Sequence, residues 1–296
     1  MTVEYSPLSY SFAASECSSD APELKRRSAT RGRNEGTLLS VNERGVSFRS
    51  YLDGSKLVLT PESSVLAQKA FGADIIIPLD ELPPLNVTRD RLAQSVELSH
   101  RWMARSLRTH LDDRRQQAMY AIVHGGTDRE LRAHSVRYLS SLPFDGFAVG
   151  GSLGANRQEM LELLGYVLPL LPEEKPNHIL GIADPESVLN GVPHGADTFD
   201  SCFATRIARH GTLLTREGPL HIGQGKYKAQ HVPIDPTLPP LGDEGGQAGE
   251  ECSRAYMHHL RKQNEPLYDT LASMHNIRYM TSFMAEMRRR ILADEL

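Results

Sequence analysis

Short apolar runs alternate with longer amphipathic periods along most of this chain, and that alternation constrains the fold more than any other feature. The runs are Asp74-Ile-Ile-Ile-Pro78, Tyr120-Ala-Ile-Val123, Gly146-Phe-Ala-Val149, His178-Ile-Leu-Gly-Ile182 and Thr198-Phe199. Helical periods separate them at Arg89 to about His110, Asp128 to Leu139, Arg157 to Leu168 and Pro185 to Gly195. Strands that alternate with amphipathic helices pair in parallel, because each helix carries the chain back right-handedly across one face of the sheet. Unbroken apolar runs fit strands buried on both faces. Polar or glycine residues follow the runs: Asp80-Glu81, His124-Gly-Gly126, Gly150-Gly151, Ala183-Asp184 and Asp200. In a (β/α)8 barrel those C-terminal strand ends form the active-site face. The expected fold is α/β of the (β/α)8 TIM-barrel type. A doubly wound sheet is the alternative, although no Gly-x-Gly-x-x-Gly fingerprint follows a first strand.

The flanks divide the chain further. Residues 1–35 are rich in Ser, Ala and Arg, with no lasting apolar period, and are expected to form a disordered tail. Residues 36–235 are expected to hold the barrel segment. It opens on a β-hairpin, Gly45 to Leu59, that turns at Asp53-Gly54, followed by a helix entered through Thr60-Pro61-Glu62. Residues 236–251, rich in Pro, Gly and acidic side chains, are expected to be a linker, and 252–296 to form C-terminal helices over Cys252–Lys262 and His275–Leu292.

A net charge of −4 and a pI near 6.3 leave no general coat of positive charge, so any contact with nucleic acid must come from a local basic patch. The three cysteines, Cys17, Cys202 and Cys252, are too few and too scattered for a disulfide framework and fit a reducing compartment. With no apolar run of membrane-spanning length and no signal-peptide order at the N-terminus, the expected location is cytoplasmic.

The segment Asp197-Thr-Phe-Asp-Ser-Cys-Phe-Ala-Thr-Arg-Ile-Ala-Arg-His-Gly211 concentrates the chemistry. A carboxylate at a strand end, Asp200, is a candidate nucleophile or electrostatic stabiliser. Arg206 and Arg209 suit phosphate or carboxylate recognition. The residue types alone also allow plainer roles: Asp80 as a helix cap, Gly150-Gly151 as a tight turn, and the two arginines as solvated surface.

The chain resembles the tRNA-guanine transglycosylase, or queuine tRNA-ribosyltransferase, family. The resemblance rests on an ordered set of pieces: Gly45-Val-Ser-Phe with Leu52-Asp-Gly-Ser, Leu79-Asp-Glu81, Ile122-Val-His-Gly-Gly126, Gly146-Phe-Ala-Val-Gly-Gly151, Leu180-Gly-Ile, Phe199-Asp-Ser, Thr205-Arg-Ile-Ala-Arg-His-Gly211, Ser253-Arg-Ala-Tyr-Met-His-His-Leu260 and His275-Asn276. It implies exchange of guanine at the tRNA wobble position for queuine or a related 7-deazaguanine base, with tRNA and that base as partners. It further implies Asp200 as the nucleophile that attacks the ribose anomeric carbon. Asp80, His124, Gly151 and Leu180 would be the base-binding residues, and Arg206 and Arg209 would contact tRNA. The family forms dimers, so a homo- or heterodimer with a related chain is expected.

The departures from the family pattern also carry expectations. The family's general base lies in an Asp-Ser-Gly-Gly-Phe/Tyr-Gln motif, where this sequence has Arg26-Arg-Ser-Ala-Thr-Arg and no aspartate. The preceding barrel strands have no counterpart either, so the barrel is expected to be incomplete at its N-terminus, with exposed strand edges that favour association. His124 stands where the family usually has a glutamine. Ser201 replaces a common cysteine beside the nucleophile, and Cys202, one place later, is expected to be a buried, inert thiol. The family's Cys-x-Cys-x-x-Cys zinc cluster falls on Glu244-Gly-Gly-Gln-Ala-Gly249, leaving only His275 of its ligands, so no zinc cofactor is expected. The sequence leaves open an active transglycosylase, a non-catalytic tRNA-binding or partner subunit, and a truncated product of little function.

Overall fold

A computed structural model describes residues 37–84, 86–238 and 252–296 of the chain. The expected tail, and the expected linker beyond its first three residues, lie outside the described residues.

Three short strands open the described chain: β1 (Leu38–Asn42), β2 (Gly45–Arg49) and β3 (Lys56–Leu59), an antiparallel sheet in that order. The hairpin read from the sequence is β2–β3, with Val46 opposite Leu59 and Arg49 opposite Lys56. The sequence reading did not anticipate β1, whose Leu38 and Leu39 stay exposed and give no alternating pattern.

Helices and parallel strands then alternate as expected. The order is α1 (Pro61–Phe71), β4 (Ile75–Ile76), α2 (Arg89–Asp112), β5 (Ala118–Val123), α3 (Arg129–Ser140), β6 (Gly146–Val149), α4 (Arg157–Val167), β7 (Asn177–Ile179), α5 (Pro185–Gly191) and β8 (Thr198–Phe199). The five strands form one parallel sheet in sequence order. This is (β/α) barrel architecture, carried by five parallel strands among the described residues. Each helix starts where a polar side chain accepts the hydrogen bond of an otherwise unpaired backbone N–H: Thr60 from Ser63, Thr88 from Arg91, Asp128 from Leu131, Asn156 from Glu159 and Asp184 from Ser187. Each cap contributes about 1 kcal/mol.

The sheet is buried by its helices. Val123, Phe147, Val149 and Ile179 pack with Met103 and Leu107 of α2, Val136 and Leu139 of α3, and Leu163, Leu164 and Val167 of α4. One charged group sits inside this apolar packing. Arg132 of α3 is fully buried, and its guanidinium donates to Val123 O at 2.6 Å, Gly126 O at 2.8 Å and Ser152 O at 3.1 Å. Burial pushes its pKa down to about 9, which leaves it charged at neutral pH.

Beyond β8 the chain builds a second cluster. It comprises α6 (Phe203–Arg209), a small antiparallel pair β9 (Thr212–Leu213) and β10 (Leu220–His221), α7 (Arg254–Gln263) and α8 (Pro266–Leu292). The last helix starts at Pro266, nine residues before the His275 expected from sequence. Asn264 ends α7 in the left-handed conformation (φ 55°), and Pro266, at the first position of α8, restarts the helix. Asn276, fully buried, accepts from Leu214 N and donates to Ala204 O and Thr212 O, which fastens α8 to α6 and β9. No helix among the described residues is long and apolar enough to cross a membrane.

Replacing the buried guanidinium strands three carbonyls, each of which loses a charged donor. Arg132→Met is therefore expected to lower the unfolding free energy by about 3 kcal/mol or more, read from urea denaturation. Arg137→Met, exposed on the same helix, should stay within about 0.5 kcal/mol of the parent.

Candidate active site

The five parallel strands point the same way, so their C-terminal ends line one edge of the sheet, neighbours about 4.8 Å apart. Every chemistry-bearing residue expected at this face follows one of those ends. Asp80 follows β4, His124 follows β5, Gly151 follows β6, Leu180 follows β7 and Asp200 follows β8. Arg206 and Arg209 lie one and two turns further on, on α6.

His124 is buried, and its Nε2 lies 2.9 Å from Asp80 Oδ2. The contact is close but falls outside hydrogen-bond geometry. Asp80 does not cap a helix; Thr88 caps α2. The segment after Asp80 is held by α2, with Ser99 Oγ accepting from Glu81 N at 2.9 Å and Ser95 Oγ donating to Glu81 O at 3.1 Å.

Two glycine turns shape the middle of the face. Gly125 has φ +139°, and a Cβ there would stand 2.6 Å from Arg132 N, so only a bare backbone lets the loop lie against α3. Gly151 has φ +80°, and a Cβ there would stand 3.5 Å from His124 Nδ1. Arg132 ties the two loops together through Gly126 O and Ser152 O. Beside them opens a cavity of about 330 Å³ lined by His124, Gly125, Gly126, Gly151, Leu82 and Val96. A second, of about 550 Å³, is lined by Gly151, Leu180, Gly181, Ser201 and Arg206. The two share Gly151 and Ser152, and neither is lined by Asp80 or Asp200. Leu180 rests on Gly150, where a Cβ would meet its Cδ1 at 2.6 Å.

Asp200 is held by one oxygen. Its Oδ1 accepts from Gly181 N at 2.8 Å and lies 3.1 Å from His178 Nε2, while the side chain as a whole is 60% exposed. His178 Nδ1 in turn lies 2.9 Å from Thr198 Oγ1. With Thr198 donating to Nδ1, Nε2 carries the proton and donates to Asp200. Oδ2 takes part in neither contact.

Arg206 and Arg209 are exposed, and neither has a carboxylate partner among the described residues. Cys202, expected to be buried, is exposed: it sits at the N-terminal end of α6 with its Sγ 3.4 Å from Arg206 Nη1. A single turn of chain between β8 and α6 leaves it outside both cores. The sequence reading also missed Arg132 and His178. Both carry a signal in hindsight: an arginine on the Leu131-Ser135-Leu139 stripe of a helix, and a histidine within an apolar strand run.

At the C-terminal cluster, His275 is buried and its Nε2 lies 2.7 Å from Leu214 O; His258 Nδ1 lies 2.8 Å from Ile222 O. Cys252 packs against the apolar cluster around Met257 and Leu260. This donor set, one thiol and histidines engaged with backbone carbonyls, does not fit a tetrahedral zinc centre of three thiolates and one imidazole.

The family model described as queuine tRNA-ribosyltransferase matches residues 28–296. The chain is 50% identical over 275 residues to a queuine tRNA-ribosyltransferase of Protochlamydia amoebophila (strain UWE25), covering 93% of this chain and 69% of that relative. A queuine tRNA-ribosyltransferase of Chlamydia pneumoniae is 44% identical over 276 residues, with 93% of this chain and 72% of the relative covered. One from Chlamydia trachomatis serovar L2 is 43% identical over the same length, with the same shares covered.

The glycine turn against α3 gives a test of this geometry. Gly125→Ala is expected to cost about 1–3 kcal/mol of stability, measured by urea unfolding, through left-handed strain and backbone collision. Gly223→Ala, with open space around it, should cost well under half of that.

Proposed function

The chain belongs to the queuine tRNA-ribosyltransferase family, and on that footing we propose that it exchanges guanine at the tRNA wobble position for queuine or a related 7-deazaguanine through a covalent Asp200–ribosyl intermediate. The observation that carries this reading is the way Asp200 is held. Two donors fix Oδ1 and leave Oδ2 as a free, exposed nucleophile at the edge where the base-binding candidates gather.

In the first half-reaction Asp200 Oδ2 attacks C1′ of the ribose. The C1′–N9 bond breaks and its electron pair leaves with guanine, which takes up a proton. In the second, the incoming base loses a proton, its ring nitrogen attacks C1′, and the bond to Asp200 breaks to restore the carboxylate. The family's aspartate base has no match in this sequence. His178 and His124 are the imidazoles at the site, the side-chain type that can both take up and give a proton. Asp80 accepts from the paired N–H groups of the purine-like base, with His124 beside it, Gly151 giving close backbone approach and Leu180 an apolar face. Arg206 and Arg209 supply planar cations for anticodon-loop phosphates and extruded bases.

The C-terminal helices, on this reading, do without the family's zinc: buried hydrogen bonds from Asn276 and His275 hold them. The protein acts as a cytoplasmic dimer, with itself or with a related chain.

Incubation with a G34-containing tRNA should trap a protein–RNA adduct that survives a denaturing gel and is lost in Asp200→Asn, an amide being too weak a nucleophile. Arg206→Ala and Arg209→Ala should weaken tRNA binding and flatten its salt dependence while sparing the adduct at saturating tRNA. An adduct that persists in Asp200→Asn removes Asp200 from its role. Tight tRNA binding without any adduct in the parent chain selects a non-catalytic partner subunit. For the C-terminal segment, Cys252→Ser is expected to leave the zinc content of the purified chain unchanged by elemental analysis. The loss of one equivalent would place a zinc on those helices.

A further inference from the structure

In the helical layer, Glu97, His100 and His134 converge. Glu97 and His100 are three residues apart on α2, hence on one face, and His134 reaches them from α3. One ligating atom from each lies within 4.8 Å of the other two, and His134 Nε2 stands 2.8 Å from Glu97 Oε1. We propose that these three side chains form a binding site for a divalent transition-metal ion of the zinc, cobalt or nickel class, clamping α2 to α3.

An independent observation points to a ligand. The His100 ring is 1% exposed, stacked on Tyr138 at 4.5 Å, and its Nδ1 is buried without a hydrogen-bond partner. A buried ring nitrogen left this way is costly unless something binds it. The other nitrogen, Nε2, lies 2.9 Å from Ser135 Oγ. Donation from Nε2–H to that hydroxyl leaves Nδ1 with a bare lone pair, the form that binds metal, oriented by an outer hydrogen bond as metal-bound imidazoles are. Two imidazoles and a carboxylate match zinc, cobalt or nickel rather than calcium or magnesium, which take oxygen ligands almost alone. Donors about 2.1 Å from a tetrahedral ion stand about 3.3 Å apart, so closing the cluster needs side-chain adjustment only. Glu97 and His134 are exposed at their outer ends, which leaves the remaining coordination positions to water. The site also touches the base-binding face, because Ser135 Oγ accepts from His124 N at 3.2 Å. A metal seated on His100 thus braces the strand end that carries His124.

The test uses the full chain stripped of metal with a chelator, titrated with Co(II) and Zn(II) by visible absorption and calorimetry. One equivalent of Co(II) should bind with nitrogen-ligand absorption bands, and Zn(II) should displace it and raise the melting temperature. His134→Ala and Glu97→Gln, at a half-buried and an exposed position outside the apolar core, should each weaken binding at least about ten-fold and abolish the thermal shift. His259→Ala and Cys252→Ser should leave both readouts unchanged. Absence of binding in the parent chain, undiminished binding in His134→Ala and Glu97→Gln, or loss of the site in Cys252→Ser would each overturn the assignment. None of these measurements uses tRNA, so their outcome is separate from that of the base-exchange reading.

Discussion

The guanidinium of Arg132 is the point on which the candidate active site depends. It is a full charge buried with no carboxylate partner among the described residues, and such a charge is tolerable only where several oriented dipoles replace its water. Those dipoles are the carbonyls of Val123, Gly126 and Ser152, which belong to the end of β5, the glycine loop after it and the loop after β6. By holding them, one side chain on α3 sets the spacing of two neighbouring strand ends and the mouth of the cavity between them. The glycine at 125 follows from the same constraint, since the loop must run against the backbone of α3.

The same economy appears at Asp200. Its strand, β8, has only two paired residues and its helix, α6, only seven, so neither element alone fixes the carboxylate. The neighbouring strand end does so, through Gly181 N and His178. Parallel pairing places β7 beside β8 in register, and this brings a histidine from one strand onto the carboxylate that follows the next. A carboxylate so held has one oxygen constrained and one available, as the proposed role of Asp200 requires.

Beyond the sheet, buried polar contacts tie the C-terminal helices to the rest of the chain. Asn276 satisfies three backbone groups, on α6, on β9 and on the residue after β9, and His275 and His258 each engage a carbonyl. Fully satisfied networks of this kind fix a unique packing, because any slip leaves a buried group without a partner.

The sequence by itself determined the order and type of the elements between residues 60 and 200. Buried parallel strands must be unbroken apolar runs, amphipathic helices must repeat near 3.6 residues, and Thr60-Pro61 marks a helix start by its own chemistry. The polar residues at the strand ends were legible for the same reason. Tertiary structure alone decided what those residues touch: the Asp80–His124 contact, the Asp200–His178 pair, the burial of Arg132 and the exposure of Cys202. The first two depend on a partner across the sheet, the others on how helices and loops pack around it. A local pattern records which face a residue belongs to, but the partner waiting on that face exists only once strands and helices have packed.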